Sequence, residues 1–145
     1  MRWLDQRYTE MSKRKDISAI LLGIAAALIL WITILSREKL IGTPISYHPF
    51  HVLVSFLKEV QRGRIGANFL GNIILFMPVG MLIPAVTGRK KMWRSVVAGG
   101  GLSLFIEINQ LITSRGCFDP DDVMLNITGT AIGFGLYRCL MRYFE

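Results

Sequence analysis

The residues able to do chemistry are concentrated in the second half of the chain. Glu107 and Gln110 stand three apart with Asn109 between them, and Arg115 follows. Asp119, Asp121 and Asp122 form a tight acidic group, and Asn126 comes four residues after Asp122. Upstream, Asn68 and Asn72 are also four apart. Residues three or four apart share one face of a helix, so each pair offers a single hydrogen-bonding surface. Two kinds of chemistry suit these groups. In a binding site, Arg115 faces phosphate or carboxylate, while Glu107 and Asp122 accept from amide or sugar groups. In a hard-cation site, Asp119, Asp121, Asp122 and Glu107 supply the oxygens that Mg²⁺ prefers, beside a phosphate substrate. No complete catalytic motif accompanies either arrangement. The two histidines, His48 and His51, lie far upstream, no glycine-rich phosphate loop is present, and no serine has a recognisable base. No catalytic residue and no resident cofactor are therefore assigned, with a divalent cation left open. Binding is favoured, with a metal-dependent enzyme acting on a phosphate substrate as the alternative. A purely structural role competes with both: Glu107 pairing with Arg115, amides joining helices, and aspartates capping a helix.

The elements that position these groups follow from hydropathy. The chain has 145 residues, 52% hydrophobic and 19% charged, with mean hydropathy +0.43. That composition excludes disorder, and two cysteines, Cys117 and Cys139, exclude a disulfide scaffold. The apolar residues form four blocks, at about 17–36, 69–87, 95–113 and 123–141. The first is uncharged over 20 residues, about 30 Å of helix and enough to cross the hydrocarbon core. It is too long for a signal h-region and lacks a small-residue cleavage site, which predicts an uncleaved anchor. Gly129, Gly133 and Gly135 in the last block suit close helix packing. The expectation is an all-α integral membrane bundle, one domain over 1–145 with four transmembrane helices. Phe50, Leu53, Val54, Leu57 and Val60 recur at helical spacing in the first connection, predicting an amphipathic interfacial helix over about 50–62.

Orientation follows from the basic residues. With a cytoplasmic N-terminus, Arg2, Arg7, Lys13, Arg14, Lys15, Arg89, Lys90, Lys91, Arg94, Arg138 and Arg142 lie inside. Only Arg37, Lys39, Lys58, Arg62, Arg64 and Arg115 then lie outside. Both termini are thus expected to be cytoplasmic. The formal charge of +7 reads as a topology signal, with no nucleic-acid motif beside it. This topology brings Asn68, Asn72, Glu107, Asn109, Gln110, Arg115, Asp119, Asp121, Asp122 and Asn126 to the outer face. The inner halves of the spans carry almost no polar groups apart from Arg138. Polar groups at membrane depth are costly and usually functional. The two cysteines, placed near opposite faces, are expected to be free.

The pattern Asn72-x3-Phe76-x-Pro78-x-Gly80-x3-Pro84, Glu107-x2-Gln110, Arg115, Asp119-x2-Asp122-x3-Asn126-x2-Gly129-x3-Gly133 resembles the VanZ-like family of small bacterial membrane proteins. His48-Pro49-Phe50 is similar to the Pro-Phe motif which that family places before its second span. The resemblance spans about residues 45–137. It implies a role at the bacterial cell envelope, after a namesake that lowers susceptibility to the glycopeptide teicoplanin without the ligase that remodels the peptidoglycan precursor. No agreed biochemical activity comes with the family. The partners it suggests for the polar face are membrane lipid, a lipid-linked cell-wall precursor or a lipoglycopeptide antibiotic, and no nucleic acid.

Overall fold

The computed structural model describes residues 2–35, 54, 55, 57, 58, 61, 67–88, 91–116 and 118–144. Four long helices dominate: α1 (Arg2–Leu30), continued by a π-helical turn over Trp31–Leu35, α2 (Ala67–Thr87), α3 (Met92–Thr113) and α4 (Pro120–Phe144). All four are long and apolar enough to cross a membrane. Of the predicted amphipathic helix, the five described residues, Val54, Ser55, Leu57, Lys58 and Gln61, are helical, and Val54 and Leu57 are exposed. The rest of that segment, including Pro49, Phe50 and His51, lies outside the described residues, as do His48, Cys117, Arg89 and Lys90.

The distribution of side chains is that of a protein whose solvent is lipid. Ile20, Ile24, Leu28, Trp31, Ile74, Val97, Phe105 and Ile112 are exposed. Among the described residues, buried polar ones (Thr33, Ser95, Ser103, Glu107, Gln110, Asp121, Asn126, Thr130) outnumber the buried large apolar ones (Ile29, Phe76, Val79, Ile106, Phe134). Where the surroundings are as apolar as leucine, helices associate through small residues and polar contacts rather than through apolar burial.

The central pair is α2 with α4, flanked by α1 against α2 and by α3 against α4. Glycine sets that central contact. A Cβ on Gly129 would overlap the Ile73 carbonyl, one on Gly133 the Met77 carbonyl, and one on Gly80 the Thr130 carbonyl. The two backbones touch because these positions carry no side chain. Gly135 departs from its expected packing role: it is exposed, and a Cβ there would meet nothing within 4 Å. It lies two positions from Gly133, hence on the opposite face of α4. Likewise Gly99 packs on the Thr130 side chain, whereas Gly101 faces open space.

The helix ends also differ from the apolar blocks. α1 begins at Arg2 rather than near Ile17. Charge marks where a helix leaves the membrane, not where it stops, and no glycine or proline interrupts residues 2–22. At 1.5 Å per residue, α1 is about 44 Å long and overreaches the roughly 30 Å hydrocarbon core. α4 begins at Pro120 rather than near Val123. Asp119 precedes it and its Oδ1 accepts the Asp121 amide at 2.9 Å. This is an N-cap followed by proline at the first helical position.

Candidate functional site

The end of α1, the start of α2, the end of α3 and the start of α4 lie at one end of the bundle. That end collects the polar residues singled out in the sequence. Asn72, in the second turn of α2, donates from Nδ2 to Asp122 Oδ1 in the first turn of α4 at 2.5 Å. Glu107, buried on α3, accepts the backbone amide of Asp119 on Oε2 at 2.8 Å. This bond ties the last turns of α3 to the connection that starts α4. Gln110, one turn further along and 1% exposed, donates from Nε2 to the Thr33 carbonyl at 3.0 Å, joining α3 to the π turn of α1. Asn126, one turn below Asp122, donates from Nδ2 to Ser103 Oγ at 2.8 Å. Four separate bonds from Asn72, Glu107, Gln110 and Asn126, to Asp122, Asp119, Thr33 and Ser103, thus tie the four helices together at this end.

Other candidates sit differently. Arg115 is half-buried in the α3–α4 connection. Asp121 is buried, its amide held by the Asp119 cap. Asn109 turns back to the Phe105 carbonyl of its own helix at 2.8 Å. The Asn68 side chain is outside what is described. Among the described residues no group of three or more His, Cys, Asp or Glu is arranged to hold a metal ion. Of the metal candidates, Asp119 caps α4, while Glu107 and Asp122 form bonds between elements.

Four buried residues were not singled out from the sequence. Ser95 and Ser103 lie in one i, i+4 row of α3 with Gly99 and Glu107, and Thr130 continues the Asp122–Asn126 row of α4. The Thr130 hydroxyl donates to the Asn126 carbonyl at 2.9 Å. The α3–α4 seam is thus polar well below the cluster, which corrects the expectation of nearly non-polar inner halves. Thr33 is the fourth, and its hydroxyl donates to the Ile29 carbonyl at 2.6 Å. The i, i+4 spacing of Ser95, Ser103 and Glu107 was the available signal for the seam. Thr33, inside a run of isoleucine and leucine, had none.

The opposite end of the bundle is basic. The exposed Lys91, the half-buried Arg94 and the exposed Arg138 and Arg142 lie there, with Arg94 placed 5.2 Å from the Trp93 ring centroid. Cys139 is exposed and free at this end. Hydrogen-bonded acids and amides thus gather at one end, and the start of α3 and the end of α4 bring cations to the other.

A family model described as VanZ/LLP1 matches residues 19–142. The chain belongs to that family and is a VanZ-like multi-pass membrane protein. No curated protein and no solved structure matches it.

Proposed function

We propose that the protein sits in a bacterial cell membrane with both termini cytoplasmic. Its outward polar end binds a lipid-linked cell-wall precursor, a lipid headgroup or a lipoglycopeptide. By doing so it lowers susceptibility to teicoplanin. The observation that carries this reading is that Glu107 and Asp122, on different helices, form bonds between elements at the end of the bundle where Asn72, Gln110 and Asn126 do the same. A bundle needs only small residues and a few hydroxyls to associate. Ionisable groups at membrane depth are costly and mark functional positions by default. Arg115 adds a cation beside the acids, suited to the phosphate or carboxylate of an envelope ligand. The family's association with glycopeptide susceptibility supplies the phenotype.

The test is teicoplanin and vancomycin susceptibility of a Gram-positive host carrying wild type, Glu107→Gln or Asp122→Asn, with membrane levels checked by blot. The expected result is a shift toward teicoplanin resistance with wild type that both variants lose at equal abundance. Variants that protect as well as wild type refute the site. A well-expressed wild type that gives no shift refutes the phenotype.

A further inference from the structure

We infer that the polar end selects a ligand group rich in hydrogen-bond donors, a primary ammonium, over groups lacking N–H. This rests on the binding reading above and names the chemistry of its ligand.

The argument is an inventory of donors and acceptors. The amide nitrogens of Asn72, Gln110 and Asn126 each already donate within the protein, to Asp122, Thr33 and Ser103, and the backbone amides of Asp119 and Asp121 donate to Glu107 and Asp119. Among the described buried side-chain atoms at this end, those left without a partner are amide oxygens. Gln110 Oε1 is buried and accepts nothing. Its identity is not open to an amide flip, because the Thr33 carbonyl can only accept and so fixes Nε2 on that side. The Asn126 amide also has one buried atom left over, Oδ1 as placed. Gln110 Oε1 lies under the connection between Glu107 and the acidic start of α4. A Cβ on Gly116, which has φ +154°, would come within 2.8 Å of it. A buried acceptor left dry costs more than a typical hydrogen bond returns, so the site is completed by something that donates.

Charge points the same way. Between residues 107 and 126 the formal charges are Glu107, Asp119, Asp121 and Asp122 against Arg115 alone. A field of that sign concentrates cations. A primary ammonium offers three N–H donors with a positive charge. A trimethylammonium offers the same charge and no donor. The phosphate beside either group is identical, so any contribution from Arg115 cancels between them.

The full-length protein in phosphatidylcholine nanodiscs provides the test. Phosphatidylethanolamine, its mono- and dimethyl forms and phosphatidylcholine are each supplied as a traceable minor lipid, and retention is read by native mass spectrometry. In a second arm, soluble phosphoethanolamine and phosphocholine are compared by thermal shift. We expect retention to fall stepwise as N–H groups are methylated, by about tenfold across the series, and Gln110→Leu to flatten it. The wild-type series stands even if that variant fails to fold. Discrimination confined to the lipid arm identifies a bilayer headgroup as the source of the ammonium, whereas discrimination among soluble compounds identifies an amine-bearing ligand of another kind. Equal retention across the series with no soluble discrimination overturns the inference. In that case, variants that still lose the teicoplanin shift leave the binding reading standing, while variants that keep it remove both.

Discussion

Replacing Gly133 by alanine adds one methyl group at the tightest kind of contact in this fold. The new Cβ would overlap the Met77 carbonyl oxygen and lie 2.8 Å from its carbon and 3.0 Å from Met77 Cα. These are backbone atoms within helix α2, so no side-chain rotation relieves the overlap. The helices must separate by several tenths of an ångström, loosening the α2–α4 contact and with it the Asn72–Asp122 bond above. Overpacking of a close contact costs about 1–3 kcal/mol, and the gain in helix propensity returns up to about 1 kcal/mol. The net expectation is a loss of about 1–2 kcal/mol. Gly135→Ala is the internal control: same helix, same chemistry, but no atom within 4 Å of the added carbon. It should be neutral or slightly stabilising. Thermal unfolding of both variants in one detergent, followed by size-exclusion of the heated samples, makes the comparison. If Gly133→Ala is as stable as Gly135→Ala, the backbone contact between α2 and α4 is not what holds the bundle.

Three further outcomes follow from the same geometry. Asp119→Ala removes the oxygen that holds the Asp121 amide and should cost about 1 kcal/mol, read as a lower melting temperature that Asp119→Asn largely restores. Glu107→Gln keeps an acceptor for the Asp119 amide and should fold within about 1.5 kcal/mol of wild type, whereas Glu107→Ala leaves that amide without its partner and should lose more; urea or detergent titration separates the two. Ser103→Ala removes the hydroxyl that Asn126 uses and strands a buried amide, so a loss of about 1–3 kcal/mol is expected. The double variant Ser103→Ala with Asn126→Leu should recover part of that loss in the same titration.

Hydropathy made the four spans legible, because uninterrupted apolar runs of this length have few other uses. The polar end was legible for a related reason: carboxylates and amides are rare enough within a span that their positions are themselves informative. Ser95, Ser103, Thr130 and Thr33 escaped because a hydroxyl barely disturbs an apolar run, and its burial depends on which face of the helix a neighbour covers. Gly133 and Gly135 show the same limit. Both are glycines in one helix, and only the position of Met77 separates the packed one from the exposed one. α1 runs beyond its apolar block because the basic residues that end the membrane-spanning part are themselves good helix formers.

Every functional statement above depends on the polar end facing out of the cell, and cysteine labelling measures that directly. In a background with Cys117 and Cys139 replaced by serine, Ser114→Cys places a thiol on the exposed α3–α4 connection, and Ser12→Cys places one on the exposed extension of α1 at the opposite end. A membrane-impermeant maleimide applied to intact cells should label the first and reach the second only after permeabilisation. Labelling of Ser12→Cys in intact cells, with Ser114→Cys protected, would place the acids and amides in the cytoplasm and contradict the account.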